Sequence, residues 1–274
     1  MITLSAPPTP GKNQLAATMV DFSARIDPSK GTVRQGRASH AKLTPVPRET
    51  VQDRVYLELR KALIYGVFEP GQVLIIQDLA ASLATSTMPV REALSRLISE
   101  QALETMPNRS IRVPLVDSVR LDDLLRARIV IEGTALELAT PRLQDHEIEQ
   151  LKVLIGDYDR AMLNRKEVLI DFELELNRSF HFLIYQAAGS SVLIPIIESL
   201  WLQSGPYVRA AALAFDPGGE ISSQHYHAQI IKALEARDVA AAKQALATDI
   251  SRAFDLLRRP HPVRTDVLSK EANA

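Results

Sequence analysis

The chain has 274 residues, which predicts two domains plus tails, because single domains usually have about 100 to 200 residues. With 46% hydrophobic and 24% charged residues, and no apolar run near the roughly 20 residues that cross a bilayer, the composition excludes a membrane-spanning protein. The net charge of −1 argues against a non-specific nucleic-acid coat, and the absence of cysteine excludes disulfides, thiolate metal sites and cysteine nucleophiles.

The first 46 residues form a basic, polar segment. They carry six basic and two acidic side chains and are rich in proline, serine and threonine. Because no basic start is followed by a long apolar core, a secretory signal is not indicated and a cytoplasmic location is expected. Two interpretations of residues 1–46 stay open: a loose tail, or a flexible basic arm that helps to bind DNA.

Residues 47–115 show a pattern typical of a small DNA-binding head. Apolar residues recur at helical spacing, Gly66 is a natural helix stop, and Pro89 is tolerated because the first turn of a helix needs no N–H there. The predicted elements are a helix from Thr50 to Gly66, a turn at 68–71, a helix over 79–83, a helix over 89–98 and a hairpin over 103–113. This order predicts a winged helix-turn-helix.

Residues 116–258 show helical patterns without a strand signal. Six helices are predicted, over residues 117–139, 144–163, 167–188, 190–204, 219–236 and 239–258. The clearest break is the segment Asp216-Pro217-Gly218-Gly219. Residues 259–274 have the composition of a C-terminal tail. The second domain is therefore expected to be an all-helical bundle.

Both halves resemble one family of regulators. The head resembles the GntR family in Phe68-Glu69-Pro70-Gly71, Leu79-Ala80, Pro89-Val90-Arg91-Glu92-Ala93-Leu94 and Leu97. The second half resembles the FCD domain of the FadR-type subfamily in Arg128-Ile129-Val130-Ile131-Glu132, Phe180-His181, Ala187-Ala188-Gly189, His227 to Leu234 and Asp238. The resemblance spans about residues 50 to 258. It implies a mainly α protein with a winged helix-turn-helix head (three helices plus a β-hairpin) and a C-terminal all-α helical bundle that binds an effector and dimerises.

The resemblance implies a set of DNA contacts in the head. In such folds the third helix enters the major groove, while amides and hydroxyls hold phosphates. The implied DNA-binding residues are Gln77, Ser86, Thr87, Arg91, Arg96, Arg109 and Ser110. Arg91 is the expected base reader because its guanidinium fork matches the acceptors of guanine.

Some of these assignments have a second interpretation. Ser86 is expected either to cap the third helix or to hold a phosphate, and both roles are compatible. Arg96 is also read as a solvated surface charge. Thr87 replaces an arginine and Ser110 replaces a wing glycine of the family pattern, so the operator is expected to differ from the family's common sequence.

The helical half carries a candidate metal site. Asn177 and His181 share one helix face because they are four residues apart, and His227 and Asp249 lie on later helices. In the family, the matching positions are an Asp or Asn and three histidines that bind a divalent metal. Here Asp249 stands in place of the last histidine, which weakens a preference for zinc. The predicted metal is Zn, Ni, Mn or Fe, and no organic cofactor is expected.

The resemblance also implies a small organic acid as the effector. Arg128 matches a pocket-lining arginine, and its guanidinium suits a carboxylate, although a salt bridge with Glu132 is an alternative. Tyr207 and Arg209 are weaker effector-binding candidates. The implied protein is a homodimeric regulator, by family habit a repressor, that binds a palindromic double-stranded operator.

Two rival hypotheses remain. The first is a metal-dependent hydrolase or isomerase that uses the helical-bundle site, but the sequence offers no convincing second general base or nucleophile elbow. The second is a regulator whose metal site is degenerate and structural. The prediction is therefore that the chain is not an enzyme.

Overall fold

A computed structural model describes residues 50–162, 169–214 and 222–258. The predicted N-terminal arm, residues 1–46, and the predicted tail, residues 259–274, lie outside the described residues. No helix among the described residues is long and apolar enough to span a membrane.

The head contains three helices and a small sheet. The helices are α1 (Val51–Ile64), α2 (Ile76–Ser82) and α3 (Thr87–Ser99), and the strands are β1 (Val73–Leu74), β2 (Glu104–Thr105) and β3 (Ile111–Arg112). All pairs are antiparallel and the strand order is β1-β3-β2. The predicted hairpin is β2–β3. The sequence did not reveal β1 as a strand, because two residues are too few to show alternation.

Local interactions explain where the head helices begin and what they bury. Thr50 and Asp53 form a capping box: the Asp53 backbone N–H donates to Thr50 Oγ1 at 3.1 Å, and the Thr50 N–H donates to Asp53 Oδ2 at 3.2 Å. Helix α3 begins at Thr87, two residues earlier than predicted, with Ser86 as its N-cap. The apolar faces of α1 and α3 bury Leu63 and Leu94 in the core of the head.

The second half is a helical bundle, as predicted. Its helices are α4 (Ser118–Ala139), α5 (Asp145–Met162), α6 (Leu169–Ala187), α7 (Leu193–Ala214), α8 (Ser223–Glu235) and α9 (Val239–Arg258). Helix α7 differs most from the prediction of 190–204, because it continues through Pro206. A proline usually ends or kinks a helix. Burial on both sides of Pro206, at Leu202 and Tyr207, stabilises the continuation here.

Helix α7 joins the head to the bundle. Its Trp201 belongs to the core of the bundle, whereas its next residue, Leu202, is buried in the core of the head. Three residues later, the backbone of α7 touches the end of α1 so closely that a Cβ atom on Gly205 would lie 2.1 Å from the Leu63 carbonyl oxygen. The contact therefore requires glycine at position 205.

We predict that Gly205→Ala destabilises this junction. The added methyl group has to push apart two backbones, and overpacking of this kind typically costs about 1 to 3 kcal/mol. The measurement is the free energy of unfolding in urea at fixed protein concentration. Gly156→Ala is the matched control, because Gly156 also lies in a helix but has no atom within 4 Å of an added Cβ. Equal stability of the two variants would contradict the prediction.

Candidate functional site

Three predicted metal ligands meet inside the bundle. His181 on α6, His227 on α8 and Asp249 on α9 are buried, and their ligand atoms lie within 4.8 Å of one another. Asp249 Oδ2 lies 3.1 Å from His181 Nε2 and 3.8 Å from His227 Nε2. The donor set is therefore two imidazoles and one carboxylate, which is chemically suited to a divalent transition metal.

The His227 imidazole is poised as a ligand. Its ring stacks on Phe180 with the centroids 4.1 Å apart, which fixes its orientation. Its Nε2 atom is buried and has no hydrogen-bond partner among the residues that the structure describes. Burial lowers the pKa of His227 to about 4, so the ring is neutral at pH 7. A neutral buried imidazole with an unpartnered nitrogen fits a metal ion, because metals bind the unprotonated nitrogen of histidine.

Asp249 supplies the negative charge of the cluster. Burial by itself raises the pKa of this carboxyl group, but His227 and the hydrogen bond from His181 outweigh burial and hold the pKa below its ordinary value. The carboxylate is thus ionised at neutral pH and faces two imidazoles. His181 Nε2 and Asp249 Oδ2 attract each other at this distance if Nε2 carries a proton or if a cation lies between the two atoms.

A buried hydrogen-bond network contacts the Nδ1 side of the His181 ring. The Tyr185 hydroxyl donates to Glu132 Oε2 at 2.5 Å, and its oxygen lies 3.2 Å from His181 Nδ1. Burial and the neighbouring Glu132 raise the pKa of Tyr185 well above its ordinary value, so Tyr185 keeps its proton. Because that proton goes to Glu132, the tyrosine oxygen is the acceptor available to His181 Nδ1 when that nitrogen carries the proton, as it would with a metal on Nε2. This arrangement turns His181 Nε2 towards the cluster, as second-sphere carboxylates do in metalloproteins.

Arg128 forms the predicted salt bridge and also lines the pocket. Its Nε donates to Glu132 Oε1 at 2.6 Å and its Nη2 donates to Glu132 Oε2 at 3.3 Å, so the predicted alternative of a salt bridge is realised. The guanidinium also lies 4.8 Å from the centroid of the Trp201 ring. Arg128 nevertheless lines the pocket beside the cluster. Glu132 engages Nε and Nη2, which leaves Nη1 as the nitrogen for a ligand.

We call this cavity the sensor pocket. Its polar lining consists of Arg128, Glu173, Asn177, His181, Ser223, Asp249 and Arg252. Asn177, the fourth predicted metal ligand, lines it together with His181 and Asp249, and it also lines an adjoining pocket with His227. Asn177 thus shares the sensor pocket with His181 and Asp249, and it shares the adjoining pocket with His227.

Tyr207 and Arg209, predicted to bind the effector, lie elsewhere. The Tyr207 hydroxyl donates to the backbone oxygens of Pro114 and Leu115 at 3.3 and 3.2 Å, in the segment between head and bundle. Arg209 donates to the Tyr65 backbone oxygen at 3.3 Å and pairs with Asp171. Neither residue lines the sensor pocket, whereas Val208 does. The reason is helical geometry, since neighbours in a helix point about 100° apart.

Several residues of this site were missed by sequence reasoning. They are Glu173, Tyr185, Trp201, Ser223 and Arg252. Two carried a usable signal: Tyr185 is four residues after His181 and so shares its helix face, and Trp201 is the only tryptophan of the chain. Trp201 Nε1 donates to Glu132 Oε2 at 3.1 Å, so Glu132 accepts hydrogen bonds from three side chains.

The candidate DNA-contacting residues lie on α2, at the start of α3 and along it, and in the hairpin between β2 and β3. Gln77, Ser86, Arg91 and Arg109 are exposed, and Thr87 is partly exposed. Ser86 is the N-cap of α3, but its side chain makes no capping hydrogen bond. The hydroxyl and the first amides of α3 are thus available to a phosphate. Arg109 adopts a φ of +65° at the tip of the hairpin.

Arg96 and Ser110 are engaged within the head. The Arg96 guanidinium lies 3.6 Å from the centroid of the Tyr56 ring, and its Nε donates to Glu100 at 3.2 Å. The Ser110 hydroxyl donates to Asn108 Oδ1 at 2.7 Å. A DNA contact by Arg96 or Ser110 would therefore have to form beside these contacts or replace them.

Family models match both parts of the chain in the expected order. The model described as "Bacterial regulatory proteins, gntR family" matches residues 51–113, and the FCD domain model matches residues 123–252. The HTH-type transcriptional regulator McbR of Escherichia coli strain K12 is 31% identical over 214 residues, which cover 77% of this chain and 91% of McbR. The chain belongs to the GntR family of transcriptional regulators. It is therefore a DNA-binding regulator with an FCD domain.

Further comparisons agree with this assignment. The solved structure of E. coli McbR/YncC matches with a TM-score of 0.68 and 28% identity, covering 77% of this chain and 98% of that chain. The HTH-type transcriptional repressor RspR of E. coli strain K12 is 25% identical over 228 residues, 82% of this chain and 96% of RspR. Because these relatives are regulators, the hypothesis of a metal-dependent hydrolase or isomerase is not supported, and the prediction that this GntR protein is not an enzyme is confirmed.

We predict that Glu132→Ala lowers the free energy of unfolding by about 3 to 5 kcal/mol, because it leaves the buried Arg128 guanidinium without its carboxylate. Urea denaturation measures the change. Glu137→Ala, on the same helix, is the control: Glu137 pairs with Lys243 in an exposed ion pair, and removal of such a pair costs less than about 1 kcal/mol. Losses of similar size in both variants would contradict the role of Glu132.

Proposed function

We propose that this GntR regulator is a homodimeric repressor whose operator binding changes when a small organic acid binds in the sensor pocket together with a divalent metal. The observation that carries the proposal is the buried cluster of His181, His227 and Asp249 beside Arg128, with His227 Nε2 unpartnered. The relative RspR is named a repressor, which supports the direction of regulation.

His181, His227 and Asp249 would hold the metal, with the amide oxygen of Asn177 as a fourth ligand. The donor chemistry fits, because a neutral imidazole at His227 and an ionised carboxylate at Asp249 are the protonation states that a divalent metal requires. When bound, the metal supplies an open coordination position for a carboxylate oxygen. Zn, Ni, Mn and Fe are all compatible with this donor set.

The charges of the sensor pocket support a role for metal in the binding of an acid. Two carboxylates, Glu173 and Asp249, line the pocket, and a third, Glu132, is paired with Arg128. These carboxylates repel an anion and offset the arginines Arg128 and Arg252. A divalent cation adds two positive charges where the effector carboxylate would lie. Arg128 Nη1 provides a second, directional contact to the same carboxylate.

Helix α7 offers a direct connection from the sensor pocket to the head. Val208 and Ala211 of α7 line the pocket, and Leu202 of the same helix is buried in the core of the head. A ligand that binds one orientation of α7 more tightly than another would shift the positions of the two heads in a dimer. Such a shift changes affinity for two operator half-sites of fixed spacing.

We expect the purified protein to contain about one divalent metal per chain. His227→Ala should lower the metal content to background, because it removes the unpartnered ligand nitrogen. His225→Ala is the matched control: His225 lies two residues away on the same helix, is exposed, and lies near Gln229. Elemental analysis together with native mass spectrometry gives metal and subunit number. A metal-free wild-type dimer would favour a degenerate site, and equal metal in both variants would reject His227 as a ligand.

We expect Arg91→Ala to weaken binding to the operator by about 1 to 3 kcal/mol, or roughly 5- to 150-fold, because Arg91 would lose its contacts to guanine. The operator can be obtained by selection from random DNA, and affinity measured by fluorescence anisotropy at fixed salt. Arg126→Ala is the control, since Arg126 is an exposed arginine of α4, outside the head. An equal loss on operator and random DNA would identify Arg91 as a phosphate contact and not a base reader.

A further inference from the structure

A second cavity, the junction pocket, lies between the head and the bundle. Ile64 and Tyr65 line it from the end of α1, and Arg178, Trp201 and Ser204 line it from α6 and α7. Four residues, Arg128, Leu174, Asn177 and Val208, line both this cavity and the sensor pocket. The two cavities are therefore neighbours that share one wall.

Arg178, which lines the junction pocket, belongs to a group of three charged side chains with an excess of positive charge; the other two, Arg60 and Glu198, do not line the pocket. Two arginines, Arg178 of α6 and Arg60 of α1, share the single carboxylate of Glu198 on α7. Arg60 Nη2 lies 3.2 Å from Glu198 Oε2, whereas Arg178 Nη2 lies 3.8 Å from Glu198 Oε1, beyond hydrogen-bonding distance. Glu198 is thus committed mainly to Arg60, and Arg178 has only a loose ionic partner.

Arg178 is also incompletely hydrogen-bonded. Its Nη1 atom is buried, and none of the described residues forms a hydrogen bond with it. The guanidinium lies 3.8 Å from the centroid of the Phe182 ring, which holds it in place but supplies no acceptor. Burial lowers the pKa of Arg178, yet an arginine in proteins stays charged. A rigidly placed cation with an unsatisfied donor is suited to receive an anion.

We propose that the junction pocket binds a second anionic group of the effector through Arg178. This inference rests on the proposed function, because the first carboxylate would bind in the sensor pocket at Arg128 and the metal. It narrows the effector class to small acids with two anionic groups, whose second group is a carboxylate or a phosphate. An uncharged or cationic second group would leave Arg178 Nη1 unsatisfied and add no favourable contact.

The position of this subsite connects it to the DNA-binding head. Ile64 and Tyr65 end the first helix of the head, so a group bound in the junction pocket contacts head and bundle at once. An anion on Arg178 also competes with Glu198 for that guanidinium and leaves Glu198 to Arg60 of α1. The second anionic group would therefore contact the junction between head and bundle, while the first anionic group would bind inside the bundle.

The test compares matched acids on the metal-loaded wild-type dimer by isothermal titration calorimetry. The pairs are malonate with propionate, succinate with butyrate, and glutarate with valerate, and phosphoglycolate with glycolate tests phosphate as the second group. We expect at least one dianion to bind more than about tenfold more tightly than its monoanion, because a charge-assisted contact to Arg178 is gained. No preference for any dianion would overturn the proposal without any variant being needed.

The variant Arg178→Gln should lower the affinity for the preferred dianion by about tenfold or more and leave the monoanion unchanged. Arg178→Lys should retain part of the preference because it keeps the charge, and it replaces Arg178→Gln if that variant does not fold. Arg126→Gln is the control for loss of an exposed arginine elsewhere.

The outcomes separate the two proposals. One outcome rejects the second subsite alone. In that outcome monoanions and dianions bind with equal affinity, both release operator DNA, and Arg178→Gln changes neither affinity. The proposed function then stands. If no acid binds the metal-loaded wild type, both are rejected. Preference for phosphoglycolate alone would assign phosphate as the second group, and preference for a dicarboxylate alone would assign a carboxylate.

Discussion

The rest of the structure depends on the contact between α7 and the end of α1. Gly205 allows the two backbones to meet, and Leu202 then enters the core of the head while Trp201 stays in the core of the bundle. Two cores that share one helix are mechanically coupled, because packed interiors transmit displacement and do not absorb it. Helix α7 also lines the sensor pocket, so no separate linker lies between that pocket and the core of the head.

Glu132 organises the second half of the molecule in a comparable way. One fully buried carboxylate accepts hydrogen bonds from Arg128, Tyr185 and Trp201, and Tyr185 in turn orients His181. Buried charges persist in proteins only when such partners compensate their lost hydration. The hydrogen bonds that compensate the lost hydration of Glu132 also orient Arg128 and the candidate metal ligand His181. The same network therefore contributes to stability and to the geometry of the site.

Two departures from the family pattern mark what is individual in this regulator. Asp249 in place of a histidine adds a negative charge to the cluster and makes an imidazole–carboxylate pair with His181. A harder donor set of this kind widens the range of suitable metals beyond zinc. Thr87 in place of an arginine removes a cation at the start of α3, where base contacts are made. In the proposed function, the first change concerns the ligand of the bundle, and the second concerns the DNA sequence that the head reads.

The sequence by itself determined the order of the helices and the hairpin, the head followed by a helical bundle, and the family. Helical periodicity and caps are local signals, and a spacing of four residues places Asn177 and His181 on one helix face. The grouping of His181 with His227 and Asp249 was implied by the family resemblance. Only the tertiary structure decided that α7 continues through Pro206, that β1 completes the sheet, and that Tyr207 and Arg209 contact the head side of the molecule and not the sensor pocket. It also decided that Arg178 lies with an unpartnered nitrogen between α1 and α7. The physical reason is that burial against distant segments outweighs local propensity, and a side chain's partners depend on which helices the folded chain brings together.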